Sequence, residues 1–346
     1  MVSRSYPGWM NPRELDAHAR SLLPTQTYAL IADAAGQGVT ARRNREVFSR
    51  RSIIPRVLRD VSTIDTATAL QGSAVSAPLG VAPLPRMAAV HPDGERGLAE
   101  AAADLGLVFC AATNSTIALE ELVIDGAPAW FQLYPHSDPG ITRDLTVRAA
   151  AAGYRAVVVT LDRPVPGLKS SEATKTADVS AYPNLARYGE HQGAAARYDP
   201  SFTWRELTQL REDCSVPLIV KGVLDREDAR LAIEHGCDGV WVSNHGGRQV
   251  DQTITSLEAL EGIAVGVDGR GEVYLDGGVR TGVDVVIAIA LGATSVFLGR
   301  PMACALAIDG RAGVRGALEQ LRDELAHAMA LTGTATLDDL TRDRVG

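Results

Sequence analysis

From residue 75 onward, short apolar runs and segments with helical spacing alternate eight times, and that rhythm leaves few ways to bury the apolar runs. The runs are Leu79-Gly80-Val81-Ala82, Leu107-Val108-Phe109-Cys110, Trp130-Phe131-Gln132-Leu133, Ala156-Val157-Val158-Val159, Leu218-Ile219-Val220, Gly239-Val240-Trp241-Val242, Glu272-Val273-Tyr274-Leu275 and Ser295-Val296-Phe297-Leu298. Between them lie segments such as 97–105, 226–234 and 283–290, where apolar residues recur at helical spacing and a glycine often follows the end. Eight strand-helix units close into a parallel (β/α)8 TIM barrel, an α/β fold. A doubly wound open sheet would give a similar alternation. The count of eight, together with where the polar residues fall, favours closure.

In such a barrel the functional groups stand just after each strand, on the carboxyl face. Here the strand ends carry Gln132 and Tyr134, Thr160 and Asp162, Lys221, Ser243 and His245, Asp276, and Arg300. A barrel with only a structural task has no reason to gather so many ionisable groups on one rim. Residues 1–74 read as a mostly helical segment packed on the barrel of residues 75–346, giving a single domain overall. The longest irregular stretch, from Arg163 to about Pro200, is either a lid over the active face or filler.

Val242-Ser243-Asn244-His245-Gly246-Gly247-Arg248-Gln249-Val250-Asp251 ends an apolar strand with a titratable base and a fixed cation three residues apart. Three residues are close to one helical turn, so a helical turn would aim His245 and Arg248 into one pocket. A base beside a carboxylate-binding fork suits proton removal from the carbon next to a carboxylate. After the last two strands come Asp276-Gly277-Gly278-Val279-Arg280 and Leu298-Gly299-Arg300-Pro301. Their amides, with Arg280 and Arg300, form a candidate phosphate site. Asp276 has the wrong sign for phosphate and suits a sugar or ribityl hydroxyl.

The formal net charge of −8 argues against nucleic acid or an acidic membrane as partner. Cys110, Cys214, Cys237 and Cys304 are scattered singly, without metal-site or dithiol spacing. They read as buried thiols in a reducing compartment. With no apolar stretch of signal-peptide or membrane-spanning length, the expected location is cytoplasmic.

These motifs, with Asn44-Arg45-Glu46-Val47-Phe48-Ser49-Arg50, Phe131-Gln132-Leu133-Tyr134 and Val220-Lys221-Gly222, make the chain resemble the FMN-dependent α-hydroxy-acid oxidases and dehydrogenases, from about Gln26 to about Leu340. This is the family of glycolate oxidase, mandelate dehydrogenase and hydroxymandelate oxidase. The resemblance implies FMN on the barrel rim. Gln132, Thr160 and Ser243 would bond the ring system, with Lys221 at its N1/O2 edge and the Pro83-Leu84-Pro85 segment beside it. The residues from Asp276 to Arg280 (Gly277, Gly278 and Val279 between them), with Gly299 and Arg300, would hold the ribityl phosphate. His245 would be the base, Asp162 its ion-pair partner, Tyr134 a donor to substrate and Arg248 the carboxylate anchor. Taken alone, Asp162 could be a helix N-cap and Lys221 a surface lysine.

Several family positions are altered here. A tyrosine that touches the substrate carboxylate becomes Leu30, with Tyr28 nearby as a candidate replacement. A second carboxylate-facing arginine becomes Lys169, a tryptophan becomes Asn114 and a flavin-contacting serine becomes Ala112. Pro85 stands where a backbone N–H would face flavin N5, and proline has none. The substrate-facing residues therefore differ more than the phosphate loops do. The expected reaction is oxidation of a bulky, aromatic or natural-product-like 2-hydroxy acid to the 2-oxo acid. The alternatives are a peptide-derived or α-substituted carbonyl substrate, or an FMN-binding barrel that has lost catalysis. Oxygen, a quinone or a carrier protein could each accept the electrons, and a homo-oligomer is expected.

Overall fold

The computed structural model describes residues 12–168, 182–188 and 198–346. Its centre is a closed, all-parallel barrel of eight strands: β3 (Leu79–Val81), β4 (Val108–Ala112), β5 (Ala129–Leu133), β6 (Ala156–Thr160), β7 (Leu218–Val223), β8 (Gly239–Val242), β9 (Glu272–Asp276) and β10 (Ser295–Leu298). All eight runs read from the sequence are these strands, and β10 pairs with both β9 and β3 to close the ring. Val157, Val158, Val159, Ile219, Val220 and Val240 have no solvent exposure. Such continuous apolar strands need cover on both faces, from helices outside and side chains within.

Inside the barrel, the side chains of Trp130, Trp241, Tyr274 and Phe297 form one aromatic layer. Trp130 and Tyr274 meet edge to face at 5.0 Å, and Trp241 lies 4.1 Å from Phe297. The amino-terminal mouth is plugged by an antiparallel hairpin, β1 (Thr68–Leu70) and β2 (Ser73–Val75), which the sequence reading did not resolve. Its two-residue turn puts Gln71 at φ 45° and Gly72 at φ 73°, the left-handed geometry that two-residue hairpins use. Leu70 is driven into the aromatic layer, while the Gln71 amide donates to the Tyr274 hydroxyl at 2.7 Å. The barrel is therefore closed from below and open only at its carboxyl face.

Three helices precede the hairpin: α1 (Pro12–Leu22), α2 (Thr25–Ala32) and α3 (Val39–Glu46). The first two pack on the long last helix, Arg300–Thr332, which breaks at Asp309 and Gly310. The third lies across the β8 loop. Its first turn is capped by Asp251, whose carboxylate accepts from Thr40 N at 2.8 Å and Gln37 N at 2.9 Å. These backbone donors, Thr40 first, pull the Asp251 carboxyl down to about 2. No helix among the described residues is long and apolar enough to cross a membrane.

Candidate active site

Where β8 ends, the chain turns over its own strand, and His245 takes φ 57°, a left-handed conformation that a residue with a Cβ adopts only when its surroundings impose it. The imposition is visible. Ala35 N donates to Gly247 O at 2.9 Å, Arg300 Nη1 to Gly246 O at 2.8 Å, and Ser243 Oγ accepts from His245 N at 3.0 Å. In this strained turn His245 Nδ1 lies 2.9 Å from Asp162 Oδ1 at the end of β6. The carboxylate accepts the Nδ1 proton, so Nε2 is the lone pair left for the cleft. Burial pushes the imidazole below its ordinary pKa, with Asp162 opposing. Burial alone would raise the Asp162 carboxyl, yet His245 and then Lys221 bring it below the usual range.

Lys221, on β7, is almost fully buried beneath the same cleft. Its ammonium contacts Asp276 Oδ2 at 3.0 Å and donates to Ser243 Oγ at 2.7 Å, while Ser243 donates to Asp276 Oδ1 at 2.7 Å. Burial works against the charge, but Asp276 and Asp162 hold Lys221 above its ordinary value. With the bond from His245 N, the Ser243 hydroxyl has one donor and two acceptor sites in use. It is fully buried, bracing Lys221 and Asp276 from beneath.

The cleft itself measures about 1370 Å³ and opens at the carboxyl face. Of the sequence-predicted residues, Leu30, Pro83, Leu84, Pro85, Asn114, Gln132, Tyr134, Thr160, Lys221, His245, Arg248, Asp276, Gly277, Gly278, Val279, Arg280, Gly299 and Arg300 all line it. Asp162 and Ser243 support the wall from behind. Lys169 lies outside the described residues.

Phosphate-bearing FMN fits what these residues offer. Among the described residues, every hydrogen bond of the Arg248, Arg280 and Arg300 side chains goes to a backbone carbonyl: Ile31, Asp33, Gly246 or Val279. Burial and then repulsion, from Arg300 on Arg248 and from Arg45 and Arg300 on Arg280, push Arg248 and Arg280 down to about 10, and burial also lowers Arg300. Clustered guanidiniums with no carboxylate in ion-pair contact among the described residues favour a bound anion. Gly278, at φ 97°, folds so tightly onto α3 that a Cβ would stand 1.7 Å from Asn44 O. Nearer the barrel axis, Gln132 Nε2 and Thr160 Oγ1 are buried without partners, as expected of groups meant for a polar ring system.

The substrate end differs from expectation in two places. Tyr28 does not stand in for the tyrosine missing at Leu30: its hydroxyl donates to Asp16 at 3.0 Å, away from the cleft. Asn114 faces the cleft but donates to Tyr198 OH at 2.7 Å. Tyr198 was not singled out from the sequence, because it lies far beyond β6 in the chain and no spacing rule ties it to the rim. Its ring lies 4.3 Å from that of Tyr134. Arg163, also missed, covers both rings, 5.4 Å from Tyr134 and 4.8 Å from Tyr198. Its position directly after Asp162 was the available signal.

Sequence and fold are both similar to those of known proteins. A family model described as FMN-dependent dehydrogenase matches residues 19–346. 2-Hydroxyacid oxidase 2 of Homo sapiens is 39% identical, over 96% of this chain and 97% of its own. L-lactate oxidase of a Nostoc species is 38% identical, over 96% of each chain. A solved structure of mandelate oxidase superposes with TM-score 0.90 at 36% identity, covering 98% of both chains.

Proposed function

This chain belongs to the family of FMN-dependent dehydrogenases, and from that membership we propose a 2-hydroxy-acid oxidoreductase in which His245 is the base and Arg248 the carboxylate anchor. The observation that carries the assignment is the His245–Asp162 pair at 2.9 Å, opening into the cleft that Arg248 also lines. Bound FMN supplies the two-electron acceptor. His245 Nε2 takes the proton released at C2, and Asp162 stabilises the imidazolium that results. Arg248 orients the carboxylate, and the Tyr134 hydroxyl steers the substrate oxygen. Gln132 and Thr160 would hold the ring system. Lys221, kept cationic by Asp276, would face its N1/O2 edge and favour negative charge there. Arg280, Arg300 and the amides from Gly277 to Val279 would hold the phosphate.

The reading extends to substrate size. Leu30, Ala112 and Asn114 leave more room than the tyrosine, serine and tryptophan that the family resemblance puts there, which supports a substrate with a long or bulky 2-substituent. All four cysteines are buried free thiols, which supports a reducing, cytoplasmic setting. Ile54, Val57 and Leu58 are exposed apolar residues on an irregular segment tied to the end of the last helix by Arg56 N donating to Thr332 O at 3.0 Å. That exposed apolar edge supports a homo-oligomer.

The test is anaerobic mixing of the yellow protein with glycolate, lactate, mandelate and longer 2-hydroxy acids. Flavin bleaching by the larger acids at enzyme-like rates is the expected result. Bleaching by none would overturn the activity, and bleaching by glycolate alone would overturn the substrate size.

A further inference from the structure

Arg163 is a cation in excess of what the reaction needs. Lys221 is matched by Asp276 and His245 by Asp162. Arg280 and Arg300 face the phosphate loops, and Arg248 stands beside His245 for one carboxylate. Arg163 lines the same cleft, forms no ion pair among the described residues, and keeps its Nε buried without a hydrogen-bond partner. Its planar face is spent on the Tyr134 and Tyr198 rings and one N–H engages the Tyr134 hydroxyl, which fixes the guanidinium and leaves Nε as the donor still to be satisfied. The charge is close enough to the reacting centre to lower the proton affinity of both His245 and Arg248. A preorganised, partly desolvated fork of this kind selects a carboxylate.

We propose that Arg163 is a specificity-determining residue that receives a second carboxylate, so that the preferred substrates are 2-hydroxydicarboxylates, with Arg248 on the carboxylate next to the carbinol carbon and Arg163 on the far one. The inference rests on the reading above that the cleft oxidises 2-hydroxy acids, and it names the chemistry of the substituent. Tyr198, held by Asn114, sets the height of Arg163 above Tyr134 and hence the distance between the two carboxylate positions.

Two matched pairs of probes test it on the FMN-loaded protein. 2-Hydroxypentanedioate is compared with 2-hydroxypentanoate for flavin reduction. 2-Oxopentanedioate is compared with 2-oxopentanoate for binding, read from the flavin absorbance without turnover. The diacid of each pair should be favoured by roughly 10- to 100-fold, the scale of one charge-assisted fork. Arg163→Gln should bring the diacid-to-monoacid ratio of each pair close to one, and Arg163→Lys should keep part of the preference. If the wild-type protein bleaches with the monoacid and gains nothing from the second carboxylate, the proposal is overturned while the oxidation reading stands. If Arg163→Gln weakens both members of a pair equally, Arg163 only braces the tyrosines and the proposal fails. Bleaching by neither member overturns the reading beneath it.

Discussion

Asn44 and Asn244 exchange a reciprocal pair of buried amide hydrogen bonds, each 2.8 Å, and so join α3 to the loop that carries His245. The two side chains are 200 residues apart in sequence. Asn44→Ala leaves the Asn244 amide buried with half its partners gone, and stability should fall by ~1–3 kcal/mol. Because the N-terminal helices and the barrel share this contact, we expect both to unfold in one transition. Denaturant titration followed by fluorescence and by far-ultraviolet dichroism checks this, and two separate midpoints would show an independently folding segment.

His245→Gln should keep the flavin colour and slow anaerobic bleaching by ~10²–10⁴-fold, since only the base is removed. Stopped-flow absorbance reads the rate. Normal bleaching by this variant would remove His245 from the base role.

His245 acts as a base only while neutral, and burial holds its pKa below the ordinary imidazole value. The kcat/KM profile should therefore rise with pH along a limb below about 6.5 and level off above it. Asp162→Asn deletes the anion that opposes the burial, so that limb should move to lower pH. The plateau should fall by roughly 10²–10⁴-fold, because the imidazolium loses its partner. A limb that moves upward would contradict the pairing.

Gly278→Ala pushes a Cβ into Asn44 O at a backbone angle that L residues avoid. The expected cost is ~2–5 kcal/mol, with loss of retained flavin as the β9 loop lifts off α3. Dialysis followed by absorbance at the flavin band measures retention. Undiminished colour and melting temperature would count against so tight a contact.

Pro85→Ala adds an N–H to the cleft wall beside the position expected for flavin N5. A donor there favours the oxidised ring, whose N5 accepts, over the reduced one, whose N5 is protonated. The midpoint potential should fall by roughly 10–30 mV, one net hydrogen bond across a two-electron couple. An unchanged potential would place residue 85 away from N5.

The barrel was legible because each strand is a short apolar run, and a run followed by a polar residue marks one face of a closed sheet. The rim residues from Gln132 to Arg300 were legible for the same reason: strand ends fix position without any long-range information. What the sequence concealed depends on distant partners. Asn44 stood within a noticed motif, yet nothing local says that its amide answers Asn244. Ser243 follows β8 as an open hydroxyl would, but its bonds to Lys221, Asp276 and the His245 amide turn it inward. Tyr198 and Arg163 meet over Tyr134 although they are far apart in the chain, and no periodicity encodes such a meeting. The hairpin at Gln71 and Gly72 was hidden because each of its strands is only three residues long.

The aromatic layer that seals the barrel gives the protein an optical gauge of its own. Trp241 lies 5.5 Å from the Lys221 ammonium, directly beneath the floor of the cleft, and Trp130 adjoins it. Indole emission from that depth overlaps flavin absorption, so loading of the coenzyme should quench it by energy transfer. Occupancy can then be followed in the native polypeptide without an added label.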